Sequence, residues 1–211
     1  MLYQSTTLAG MPLTLPRRQI LSRLGYSGQT RLTGCQLDTL NRNIQRAFAT
    51  ISAKGIYTCQ KIDSNDGETV ILADQSKIAC PAVAGMLKHC QEVWLAATTV
   101  GKQISDLTAT CFSEGDAAAA TVCDAVGSEC ADAAMDFLQN YAATQLKRSN
   151  RTLTDCRFSP GYGKWSLEAQ KDFFRWLNLS SLDLTLTESL LLIPEKSVTA
   201  LAGVRVNLPC F

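Results

Sequence analysis

Residues 116–148 constrain this chain more than any other segment. The stretch opens DAAAATVCDAVGSECADAAMDFL and reads as one long helix, which at 1.5 Å per residue spans about 50 Å. Its N-terminal half is rich in Ala, Ser, Gly and Cys. Side chains this small let a helix approach its neighbours closely, as small-residue motifs do in membranes. Gly127 costs about 1 kcal/mol in a helix interior, so its presence predicts a close backbone approach or a kink.

The remaining elements are shorter. Residues 1–15 read as an irregular arm. Pro16 suits the first turn of a helix over residues 17–24, stopped by Gly25. Leu37, Leu40, Ile44, Phe48 and Ile51 recur at spacings of three and four, which predicts a helix over residues 36–54 with Gly55 as its C′ residue. Residues 56–62 and 68–73 flank a turn-rich loop ending in Asp66-Gly67 and read as a hairpin. Residues 82–90 form a short helix, 92–100 a buried strand and 101–111 an amphipathic helix. Residues 149–165 read as a loop, and Ser166 caps a helix to Leu177. Residues 184–188, 190–193 and 197–206 read as strands. Helices and strands mix without regular βαβ alternation, which predicts an α+β fold with a mixed or antiparallel sheet flanked by helices. The sequence shows no repeat, low-complexity tract or linker, so residues 16–211 form one domain.

Composition narrows the functional classes. With 211 residues and 46% hydrophobic content, the chain builds a core without disulfides or metal. The balance of 20 Lys plus Arg against 19 Asp plus Glu argues against a non-specific nucleic-acid binder. No stretch reaches the roughly 18 apolar residues of a membrane span. The N-terminus shows no basic region followed by an apolar one, so the expectation is a cytoplasmic protein. Nine cysteines occur at irregular gaps with no C-x-x-C pair. They read as small core residues, or less readily as ligands of an iron–sulfur cluster, and zinc-ribbon spacing is absent.

Few residues offer catalytic chemistry. His89 is the single histidine, placed at a helix end where it complements the dipole. No Walker A, GxGxxG or HExxH motif occurs. Neither does a D-x-H-x-x-G cobalamin-ligand pattern, since Leu87 stands two residues before His89. Glu129, Asp132 and Asp136 share one helix face, either as a solvated stripe or as acids facing a ligand's amino group or ribose hydroxyl. The RFSPGYG segment, residues 157–163, says most. Pro160-Gly161 makes a tight turn that opens backbone amides to a ligand. Arg157 can fork a carboxylate, and Tyr162 offers a ring face to a cation. Together these suit a zwitterionic ligand bearing an organic cation; the alternative is an ordinary surface loop.

Three segments carry a resemblance: DAVGSECADAAMDFL (residues 124–138), RFSPGYGKWSLEAQ (157–170) and LTESLLLIPEKSVTALAG (186–203). In that order, the small-residue helix, the R-x-x-P-G-Y loop and LTES followed by P-x-x-S-V resemble the reactivation (activation) domain of cobalamin-dependent methionine synthase, here as a separate chain. LGYSGQ (24–29) and VWLAATTVG (93–101) are similar to stand-alone members. The resemblance covers most of the chain beyond Pro16.

The resemblance implies an S-adenosylmethionine-binding domain. It implies docking on the cobalamin-binding domain of a methionine synthase, with cobalamin held by that partner. A flavodoxin-like or other donor supplies an electron, and S-adenosylmethionine remethylates the cobalt. The implied contacts are Arg157 to the ligand carboxylate, with Ser159, Pro160, Gly161 and Tyr162 around the adenosine and amino groups. Asp132 is the helix carboxylate, Glu129 its alternative by a shift of three, and Glu188 stands in LTES. Such a chain is a component of methyltransferase activity rather than a complete enzyme. The sequence departs from the fused enzymes in having Arg151 where they carry a second carboxylate, six residues before the loop arginine. Reactivation of another corrinoid methyltransferase, or a regulatory S-adenosylmethionine-binding module, are the alternative readings.

Overall fold

A computed structural model describes residues 5–27 and 30–207. The Gly28-Gln29 end of LGYSGQ and Cys210 lie outside the described residues. Two strands lie inside the sheet, each paired on both sides, because both their faces are apolar. In β5 (Glu92–Thr99), Val93, Leu95 and Ala97 face one side while Trp94 and Ala96 face the other. The neighbouring strand β9 (Ser197–Val206) alternates likewise, with Ala200, Ala202 and Val204 opposite Leu201. The described residues complete a seven-stranded sheet with β2 (Lys54–Asn65), β3 (Thr69–Leu72), β4 (Lys77–Ala79) and β6 (Arg151–Phe158), in the order β4-β3-β2-β5-β9-β6, while β1 (Thr6–Leu8) pairs with β2. Every pairing is antiparallel.

Helices cover both faces. On one lie α1 (Arg17–Arg23), α2 (Gly34–Phe48), α4 (Gln103–Ser113) and α5 (Ala117–Lys147); on the other lie α3 (Pro81–Met86), α6 (Gln170–Trp176) and 3₁₀ turns at Leu167–Ala169 and Leu179–Leu182. The strands β7 (Thr185–Leu186) and β8 (Leu192–Ile193) form a separate small hairpin. The expected α+β class with helices flanking the sheet is the observed one.

The long helix α5 starts where Asp116 accepts a hydrogen bond from Ala119 N at 2.9 Å, which satisfies one of the unpaired amides of its first turn. Its small residues bury against α1, α2 and α4 as well as the sheet. Gly127 marks close approach: a Cβ there would stand 3.0 Å from Ile104 Cγ1 and 3.1 Å from Lys196 Cγ.

Several expectations need correction. The helix expected to reach Lys54 ends at Phe48, and Gly55 lies inside β2. Ile51 extends the apolar stripe only by packing, and Gly55 is small because Leu138 Cδ2 would lie 3.0 Å from a Cβ. Residues 5–15 are no loose arm: Thr6–Leu8 pair with β2, and Met11 is buried. Half of the expected loop over residues 149–165 is the strand β6, which pairs with β9.

Candidate functional site

The RFSPGYG segment leaves the sheet at β6. Pairing of β6 with β9 slips between Leu153 and Arg157, then resumes with Arg157 opposite Ala202 and Phe158 opposite Leu201. Such a bulge re-aims the side chains beyond it. Gln139, on α5, crosses to the bulge and donates to Thr154 O at 2.9 Å and Asp155 O at 3.2 Å. The following loop is closed by Gly161 N donating to Trp165 O (2.9 Å) and Trp165 N to Tyr162 O (3.0 Å). Gly161 has φ +89°, a conformation open to glycine at no steric cost. An aromatic row anchors the loop: Phe158–Trp165, Trp165–Phe173 and Phe173–Trp176 centroids lie 6.0, 6.1 and 5.5 Å apart.

The P-x-x-S-V segment forms the facing wall. Ser197 Oγ donates to Pro194 O at 2.6 Å, and the Ile193–Pro194 peptide is cis. Lys196 is buried and ties this segment to α5, its Nζ lying 2.6 Å from Asp124 Oδ1, 3.2 Å from Ser128 Oγ and 3.1 Å from Glu195 Oε1. Burial works against its charge, but these bonds prevail and its pKa is raised. Thr199 Oγ1 donates to Gln170 Oε1 at 2.8 Å with both residues buried, which turns the Gln170 NH2 away from Thr199.

Between these walls lies a cleft of about 410 Å³, lined by Asp132, Arg157 to Pro160, Tyr162, Gln170, Leu192 and Ser197 to Thr199. Its volume falls in the usual range of small-molecule sites, about 300–1,000 Å³. The structure therefore brings Asp132, Arg157, Ser159, Pro160 and Tyr162 together, with Gly161 between two lining residues. Tyr162 is 70% exposed, so its ring stands at the rim. Arg157 donates through Nη1 to Asp136 Oδ1 (2.6 Å) and Gln139 Oε1 (2.7 Å). Among the described residues its Nε and Nη2 make no hydrogen bond, and that edge matches a carboxylate.

The three helix carboxylates separate in role. Glu129 pairs with Arg23 on α1 and is not a lining residue of the cleft. Asp136 pairs with Arg157. Asp132 lines the cleft from an exposed position, so its desolvation is only partial; that desolvation, and next the Glu129 charge, push its pKa above the usual carboxylate value against the pull of Arg23 and Arg157. Glu188 is exposed on the turn between β7 and β8, whose contribution to the cleft is Leu192. Arg151 pairs with Glu92 on β5 at 2.8 Å. His89 is exposed beyond α3.

The sequence reading missed Gln170, Thr199 and Gln139, which lie on a helix, a strand and a helix with no local motif to flag them. Cysteines serve mostly as core: Cys80, Cys90, Cys111, Cys123 and Cys130 are buried. Burial pushes Cys130 up to about 12 and Cys123 up to about 11, so both stay protonated thiols. No cluster of three or more His, Cys, Asp or Glu suited to a metal ion occurs among the described residues. No helix among them is long and apolar enough to cross a membrane.

No family model matches the chain, and no curated protein matches it by sequence. Its fold is similar to that in a crystal structure of the MetH reactivation domain bound to AdoHcy. The TM-score is 0.67 and the identity 13%, over 99% of this chain and 81% of that chain. The mixed α+β architecture, with a mostly antiparallel sheet flanked by helices, is thus that of the MetH reactivation domain.

Proposed function

We propose that the cleft binds S-adenosylmethionine, and that the protein presents the ligand's methyl group to cobalamin on a separate methionine synthase during reductive reactivation. The observation that carries this reading is the pairing of unlike charges across one cleft. Arg157 offers its Nε–Nη2 edge and Asp132 its carboxylate, on a fold whose solved counterpart holds AdoHcy. A zwitterionic head group needs both.

The residues present fit that ligand. Arg157 takes the carboxylate, Asp132 the ammonium, and the turn at Ser159 to Tyr162 lies along the nucleoside, with Gln170 as a buried donor. S-adenosylmethionine supplies an activated methyl group. The chain's own task is orientation, which by itself removes a large entropic part of a bimolecular barrier. The partners under this reading are the cobalamin-binding domain of a methionine synthase and a flavodoxin-like electron donor.

Calorimetry with S-adenosylmethionine and AdoHcy tests the first part. Arg157→Ala should weaken binding about tenfold or more, as loss of charge-assisted bonds implies; no binding by the wild type refutes the reading. The second part is tested with cob(II)alamin on a partner methyltransferase plus an electron donor. Methylcobalamin should form only when this protein is added. Conversion on a different corrinoid protein would reassign the partner, and binding without conversion on any corrinoid partner would leave a regulatory module.

A further inference from the structure

Arg157 does not stand alone in its cleft. It forms the wall between that cleft and a second cavity of about 510 Å³ on its outer side, lined by Asp136, Gln139, Asn140 and the bulged part of β6. Both protein bonds to Arg157 come from this outer side and both use Nη1. A guanidinium has two edges able to fork a carboxylate, and with Nη1 engaged the edge left fully available is Nε–Nη2.

The two outer partners are unequal. Asp136 is 63% exposed, and an ion pair so open to water contributes little. Gln139 is rooted. Its amide nitrogen donates to both Thr154 O and Asp155 O, in the stretch of β6 that is out of register with β9. Those bonds fix which way the amide faces, so Oε1 must point at Arg157. One side chain thus converts the β6 register slip into an arginine orientation.

We propose that Gln139, with Asp136 as a weaker second, is a positioning residue that aims Arg157 at the carboxylate of the bound amino-acid head group and thereby sets selectivity for ligands that carry one. This rests on the reading that the cleft takes S-adenosylmethionine. Gln139 touches no ligand; it acts through Arg157.

The test compares two ligands on the whole protein by calorimetry: S-adenosylmethionine, and 5′-methylthioadenosine, which lacks the amino-acid head. Gln139→Met keeps an unbranched side chain and should weaken S-adenosylmethionine about tenfold, the scale of a hydrogen bond to a charged group. Asp136→Ala, at an exposed position where substitutions change stability by only about 0.5 kcal/mol, should weaken it about twofold. Neither should change 5′-methylthioadenosine binding. In the Arg157→Ala background, Gln139→Met should cost S-adenosylmethionine nothing further, since residues acting as one unit are not additive. Asn140→Ala, in the same outer cavity, serves as the neutral control. Equal losses for both ligands, or an additive double variant, would assign Gln139 a merely structural role and overturn the proposal, as would an unchanged S-adenosylmethionine affinity in Gln139→Met. Those results leave the binding reading intact. A wild type that binds neither ligand, or an Arg157→Ala that binds S-adenosylmethionine normally, defeats the binding reading and this proposal with it.

Discussion

Replacing Lys196 by methionine tests whether the cleft's second wall is held by charge or by packing. The lysine stem lies against Gly127, where Cγ and Cδ would stand 3.1 and 3.4 Å from an added Cβ. Methionine keeps an unbranched stem of similar length there and removes only the ammonium. Three bonds disappear, to Asp124, Ser128 and Glu195. The Asp124 and Glu195 side chains are 50% and 74% exposed, so water re-solvates them and no buried orphan charge remains. The expected loss is therefore about 1–2 kcal/mol rather than the 3–5 of a fully buried pair. In a chain of this size that lowers Tm by about 2–8 °C.

The pH dependence gives a second check. The folded pKa of Lys196 is raised, so its contribution is complete below the unfolded lysine value of about 10.4. It is lost as pH rises through the still higher folded value. Urea melts of wild type and Lys196→Met should differ by the same amount at pH 7 and pH 9, and the gap should close only above about pH 10.4. Because Ser197 to Thr199 line the cleft, ligand affinity should fall with stability. A Lys196→Met protein as stable as wild type at pH 7 would show that the three bonds merely break even against desolvation and would refute the reasoning.

Other consequences are open to measurement. Asp132 has a raised pKa, so its ionised form is disfavoured by folding. The residue is exposed, so solvent screening keeps the effect small: Asp132→Asn should raise Tm at pH 7 only slightly, show no stability gain below about pH 3.9, where both forms are neutral, and bind S-adenosylmethionine more weakly in calorimetry. At Gly203 an added Cβ would collide with Cys90 Sγ. Gly203→Ala should cost about 1–3 kcal/mol by overpacking, and a double-mutant cycle with Cys90→Ala in urea melts should recover much of it. Gln170→Leu removes the acceptor of the buried Thr199 hydroxyl and should lower stability by about 1–3 kcal/mol in urea melts, while removing a donor from the cleft and weakening ligand binding.

The parts of the fold visible in the sequence were those whose reasons are local. The run of small residues after Asp116 marked α5, the Asp66-Gly67 turn marked the first hairpin, and a largely apolar run marked β5. The strand β6 was hidden because RTLTDCRF mixes polar residues throughout and lies at the sheet's edge, where its pattern carries little burial signal. Three residues of β1 are too few to show a period. At the site, the arginine loop was legible from its turn chemistry and its resemblance. The division of labour among Glu129, Asp132 and Asp136 was not. Their spacing is regular along one helix face, while their partners, Arg23 and Arg157, come from distant parts of the chain.

The helix α5 has a consequence for how such chains tolerate change. Asp124 and Ser128 meet Lys196, Glu129 meets Arg23, Asp132 lines the cleft, and Asp136 and Gln139 meet Arg157. All of these are read off one unbroken rod, which makes it the molecule's phase reference. One residue inserted or deleted between Asp124 and Gln139 turns everything beyond it by about 100° and detunes several unrelated contacts at once. Surface loops away from the cleft tolerate changes in length far better. Sequences can thus drift far apart on this architecture while the number of residues separating those helix positions stays constant.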